Sequence, residues 1–255
     1  MATYKKRGGK PRTRAEKESQ IEKDSTTAEV FKTLDEGASR TEAWIEKNKK
    51  IILGVIGGVA VLVLGFFLYQ EYVQKPKEAE AMHEMFQAQN YWERALNEQA
   101  KDSLYNLSLQ GGEGKYGFLD IIDNYKGTGA ANLARYYAGM AYLNLNQYRE
   151  AIEHLDKFSS KDEILAPLAK GAIGDAFSQL DQNEDALRYY EEAAKMRTNN
   201  FTTPRFLLKA GITAMALNKN DKALSYFKEI EKKYGNSDEA EKVKSYIGRA
   251  EAMKN

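Results

Sequence analysis

Positions 51–69 form an unbroken apolar run without a charge, an amide, a proline or a serine. At about 1.5 Å per residue these nineteen residues span roughly 28 Å, close to the thickness of a bilayer's hydrocarbon. The pattern predicts a membrane-crossing helix over 51–72. A buried helix of a soluble core usually interrupts its apolar face with polar residues. Before the run, Thr26, Thr27, Ala28 and Glu29 have capping-box spacing and lead into Val30, Phe31 and Leu34, with Gly37 as the stop. Ser39, Arg40, Thr41 and Glu42 repeat the signature ahead of Trp44 and Ile45. Residues 1–50 are thus read as a basic tail with short amphipathic helices. Phe31 and Trp44 are candidates to anchor these helices on the membrane surface or on a partner.

Beyond Pro76 the apolar residues keep a helical period almost throughout. Met82, Met85, Phe86, Tyr91, Trp92 and Leu96 mark one helix, and Leu104, Leu107 and Leu109 another. Phe118, Leu119, Ile122 and Tyr125 mark a third, ended by the glycines of 126–129. Gly111, Gly112 and Gly114 read as a turn, because no strand precedes them and no Lys-Ser/Thr pair follows. Residues 76–130 therefore form a membrane-proximal helical region.

From 131 to 255 the chain repeats itself. Gly139, Gly174, Gly211 and Gly248 are spaced by 35, 37 and 37 residues, and Ala151, Ala186 and Ala223 each lie twelve residues after a glycine. The units run over about 132–165, 167–200 and 204–237, with a closing helix after Ser237. A period near 34–37 with two helices per unit is the signature of a stacked helical array. Glycine facing alanine lets two helix axes approach to the near end of the packing range of about 8–10 Å.

These residues resemble the tetratricopeptide repeat. Gly139, Gly174 and Gly211 match its first-helix glycine, and Ala138, Ile173 and Ala210 precede them. Tyr142, Phe177 and Ala214 take the aromatic position, and Leu145, Leu180 and Leu217 the hairpin turn. Ala151, Ala186 and Ala223 match the second-helix small residue; Leu155, Tyr190 and Phe227 then fill the large position, and Phe158, Ala193 and Ile230 the last. The family's early tryptophan is replaced by Arg135, Lys170 and Leu207, and its closing proline by Glu163, Thr198 and Gly235. With the apolar run, the resemblance gives an all-α fold: a single N-terminal transmembrane helix, read from the run, followed by the tetratricopeptide-repeat α-solenoid that the resemblance implies. It also implies a protein-binding concave face lined by first helices. That face takes Leu133, Tyr136, Met140 and Asn144 from the first unit; Asp175, Ser178 and Gln179 from the second; and Arg205, Leu208, Ile212 and Met215 from the third. Met and Tyr there suit an apolar helix or unfolded segment, unless these residues pack against the 77–126 helices instead. The Lys/Asn set with which some such domains clamp a C-terminal carboxylate is missing.

Charge gives the span a direction. Residues 1–50 carry 13 Lys/Arg against 9 Asp/Glu, and 70–255 carry 25 against 28. Lys32, Arg40, Lys47, Lys49 and Lys50 precede the span closely, against Lys75 and Lys77 after it. Basic residues stay on the cytoplasmic side, so the N-terminus is expected in the cytoplasm and the repeats across the membrane, with no signal-peptide cleavage. Gly54 and Gly58, four apart, allow close approach of a partner span. Residues 1–14 hold six basic residues and no acid; contact with anionic lipid or the ribosome stands there beside a merely topogenic role.

No chemistry-bearing constellation is present in the sequence. There is no cysteine, and His83 and His154 stand alone, without metal-ligand partners. His154, on the second helix of the first unit, is expected as a polar surface or edge residue. Hence no catalytic residue, cofactor, metal or small-molecule substrate is assigned. An inward tail, one uncleaved span and exported repeats resemble the bacterial ancillary SecYEG translocon subunit (YfgM-like) family. That resemblance implies a noncatalytic periplasmic adaptor of the inner membrane, working in protein export. Its partners would be the SecYEG channel, a periplasmic chaperone such as PpiD, and emerging polypeptides. A tethered scaffold for division, wall synthesis or outer-membrane biogenesis, or an organellar import receptor, would present the same pattern.

Overall fold

A computed structural model describes Thr13 and residues 26–253, with side chains from Thr41 onward. The basic block 1–14, Thr13 aside, lies outside the described residues, as do the Thr26 cap and Phe31 side chains. The chain divides into two compact units at Tyr69/Gln70.

The first unit contains one long helix, α1 (Thr26–Tyr69). The sequence predicted short tail helices stopping at Gly37; the structure runs a single helix through that glycine. One glycine costs a helix about 1 kcal/mol, and no proline or second glycine reinforces the stop. Extending an existing helix needs no new nucleus, so the apolar half can propagate through it. The apolar stretch is long enough to cross a membrane, and none of it is buried. Gly54, Gly57, Gly58 and Gly65 have no neighbour within 4 Å of a built β-carbon.

The second unit opens with a π-helical turn, Gln70–Gln74, and is helical thereafter. Its helices are α2 (Lys75–Asn97), α3 (Lys101–Gln110), α4 (Phe118–Asn124), α5 (Gly129–Asn144), α6 (Tyr148–Asp156), α7 (Leu165–Gln179), α8 (Asn183–Lys195), α9 (Thr202–Ala216), α10 (Asn220–Lys233) and α11 (Asp238–Ala252). No strand occurs among the described residues. Each helix from α5 onward packs on the next, and the alternate helices α5, α7, α9 and α11 also touch in sequence.

Alanine and glycine are buried along these helices because the backbones meet. A β-carbon on Gly139 would collide with Leu155 and lie 3.2 Å from the Ala151 carbonyl; on Gly211, it would collide with the Phe227 ring. On Gly174 it would lie 2.7 Å from the Tyr190 ring and 3.3 Å from the Ala186 carbonyl. Glycine thus receives the large residue four positions beyond each matched alanine. Gly248, fourth in the sequence spacing, meets nothing within 4 Å, because no second helix follows α11 among the described residues. Seven residues after each close-packed glycine stands a left-handed turn residue: Asn146 (φ 59°), Asp181 (φ 59°) and Asn218 (φ 57°). A short polar side chain tolerates that conformation.

The core is graded along the array. Helices α2–α5 share Met85, Tyr91, Leu109, Phe118 and Ile121 with the alanines of α5. Tyr136, Leu155 and Ile173 join α5, α6 and α7, and Phe206, Phe227, Ile230 and Val243 join α8 to α11. The N-terminus of α5 is capped both by Thr128, whose hydroxyl accepts the Ala131 amide at 3.0 Å, and from a distant helix. The Glu78 carboxylate accepts the Gly129 and Ala130 amides at 2.6 and 2.7 Å. Gln74 and Lys77 donate to the carbonyls of Gly127 and Lys126 beside it.

Candidate protein-binding face

The first helices of the three hairpins, α5, α7 and α9, carry the residues assigned to the concave face. On α5, Leu133 is half-buried against the α2–α4 cluster. Tyr136 is buried, its ring 5.3 Å from Phe158 and packed over Ala169, Ala172 and Ile173; burial raises its phenol pKa. Met140 packs on the same group. Asn144 is exposed and turns its amide to the Met140 carbonyl at 2.8 Å.

On α7, Asp175, Ser178 and Gln179 line an open pocket of about 390 Å³ with Leu143, Tyr148 and Lys209. Asp175 is its hub. One carboxylate oxygen accepts the Tyr190 hydroxyl at 2.7 Å and the Lys209 ammonium at 2.5 Å. Burial and the Asp175 charge raise the Tyr190 phenol well above its ordinary value. The Tyr148 hydroxyl donates to Asn146 Oδ1 at 2.8 Å and sits 3.3 Å from Gln179 Oε1.

On α9, Arg205 and Leu208 line a second groove, about 510 Å³, against the start of α11. Phe201, Lys209, Asp238, Glu239 and Lys242 are among the residues that also line it. Phe201 is 58% exposed and Ile212 39%, whereas Met215 is buried. Arg205 and Lys242 make no ion pair among the described residues.

The assigned residues are therefore not one surface. Asp175, Ser178 and Gln179 share a pocket and Arg205 and Leu208 share a groove, while Tyr136 and Met215 are spent on packing. Lys209, which lines both openings, and Phe201 were missed from sequence. Phe201 had a signal, since it extends the Arg205, Leu208 and Ile212 row by one helical turn. Gly54 and Gly58 lie on α1 in the other unit.

The ring contacts repeat with the array. Tyr142 stacks on His154 at 5.3 Å and Phe177 on Tyr189 at 5.2 Å. His154 is thus half-buried in a stack rather than at a polar edge, and burial lowers its pKa. In the third hairpin Ala214 leaves Tyr226 without that partner ring, and burial and a hydrogen bond to Glu191 raise its phenol pKa. Burial opposes the charge of Glu191, but the Lys222 ammonium at 2.6 Å and the Tyr226 hydroxyl outweigh it and hold its pKa down.

Among the described residues no three His, Asp or Glu side chains cluster so as to hold a metal ion. No curated protein matches the chain. The family model of the tetratricopeptide repeat matches residues 133–162 and 206–237, which cover α5–α6 and α9–α10. The helical array of this chain carries tetratricopeptide repeats, a scaffold for protein–protein interaction.

Proposed function

We propose that this chain is a membrane-tethered adaptor on the periplasmic face of a bacterial inner membrane, accessory to the Sec export channel and a periplasmic chaperone. The observation that carries a binding role is the row Phe201, Arg205 and Ile212, exposed around a half-buried Leu208, beside two open pockets on a repeat array. Exposed aromatic and aliphatic residues next to unpaired cations suit a protein segment better than a small polar substrate. The excess of basic residues before the span supports an exported array.

In-cell photocrosslinking from Phe201, Ile212 and Asn144 tests this reading. These positions are exposed, whereas Tyr136 and Met215 on the same helices are buried. Capture of an export-channel subunit or a periplasmic chaperone is expected. Capture of division or wall-synthesis enzymes alone would overturn the export assignment and leave the adaptor role standing.

A further inference from the structure

Gly139, Gly174, Gly211 and Gly248 set the register of the array, and six residues before them stand Leu133, Leu168, Arg205 and Lys242. In stacked hairpins, equivalent positions of successive first helices lie side by side. On α5 and α7 this place is apolar and used for packing. Leu133 lies against the α2–α5 cluster and Leu168 against the α8–α11 cluster. On α9 and α11 the same place is basic and exposed.

Arg205 and Lys242 both line the groove of about 510 Å³ between α9 and α11, two helices in contact. Neither makes an ion pair among the described residues. Lys209, the third cation of the groove, is already held by Asp175. Asp238 and Glu239 line the groove as well, but they stand in the first turn of α11. The helix amides and dipole favour negative charge there, and neither carboxylate pairs with Arg205 or Lys242. The Ser237 hydroxyl in the same wall is buried without a hydrogen-bond partner among the described residues. Two like charges side by side repel. A carboxylate between them removes that repulsion and gains a charge-assisted hydrogen bond to each.

Apolar surface flanks the cations. Phe201, 58% exposed, lies four residues before Arg205, and the half-buried Leu208 lies three after it. That spacing puts all three on one side of the chain as it enters and follows α9.

We propose that the α9–α11 groove holds a partner segment in which acidic side chains lie beside bulky apolar ones. Arg205 and Lys242 take the carboxylates, and Phe201 and Leu208 take the apolar side chains. A small anion alone would leave Phe201 in water, and a basic segment would meet two cations with no counter-charge of their own. This partner chemistry rests on the array acting as a protein-binding adaptor.

Two dye-labelled helical peptides of alanine, glutamine, leucine and phenylalanine test it on the full-length, detergent-solubilised chain. One carries a pair of glutamates within its apolar stripe, and its twin carries lysines there. Both end in an amide, so side chains supply the only carboxylates. By fluorescence anisotropy at low salt, the glutamate peptide is expected to bind about tenfold more tightly than its twin. Arg205→Gln with Lys242→Gln should equalise the two peptides, and Arg205→Glu with Lys242→Glu should reverse their order. Arg205→Lys should keep the preference, as should Arg149→Glu on α6. Equal affinity for the twins, no binding of either, or an order unchanged in the double variants overturns the acidic partner. If photocrosslinking from Ile212 or Asn144 still captures protein in cells, the adaptor reading survives that failure. Capture from neither position overturns the adaptor and the acidic segment with it.

Discussion

Gly174 and Gly248 occupy the same place in the repeat spacing and answer to different physics. A β-carbon on Gly174 meets the Tyr190 ring at 2.7 Å, whereas one on Gly248 meets nothing. Overpacking typically costs about 1–3 kcal/mol, and the helix propensity of alanine returns at most about 1 kcal/mol. Gly174→Ala should therefore lower the urea midpoint of the detergent-solubilised chain, and Gly248→Ala should leave it unchanged or raise it. His154 adds a pH dependence. Its pKa is depressed in the fold by burial, so between the folded and unfolded values the unfolded chain binds more protons. Stability is then fully present above about pH 6.5, the ordinary histidine value, and is lost as pH falls through the lowered one. His154→Phe keeps a ring against Tyr142 and should flatten that slope in melts between about pH 7 and 5.

At the scale of elements, helix ends explain what was legible and what was not. Hairpins could be seen in the sequence because glycine, alanine and a large residue must recur wherever two backbones touch. The α7–α8 pair lies outside the matched repeat segments, yet Gly174 makes the same contact as its neighbours. The continuity of α1 was not legible, because capping signals are local and a propagating helix overrides them. Nor was the second cap on α5, which Glu78 adds to the local Thr128 cap from more than fifty residues away. Replacing a capping carboxylate typically costs about 1 kcal/mol. Glu78→Ala should cost about that much, and hydrogen exchange should speed up first at Gly129 and Ala130.

Across the whole molecule, packing between repeats decides which predicted surface residues are free. Tyr136 and Met215 fall on the inner row of their helices, but neighbouring helices cover them, and no single-helix pattern foretells that. Phe201 remains in solvent at the start of α9. Phe201→Ser should therefore change stability by no more than about 0.5 kcal/mol while reducing partner capture from Ile212. Lys209→Met acts differently. It removes the ion pair joining α7 to α9 and leaves Asp175 with Tyr190 alone. Its expected loss is about 1 kcal/mol, read in the same denaturation series, with capture reduced as a secondary effect.

The glycine contact has a consequence for lineage. Each hairpin from α5 to α10 closes on the same pair of positions, so the junctions are interchangeable in kind. A gene duplication that copied one whole hairpin of about 35 residues would meet a ready surface on both sides. Gly248 on α11 carries an open flank of the same kind among the described residues. Relatives with more or fewer hairpins, and a binding face lengthened or shortened in whole steps, are the variation this architecture permits most easily.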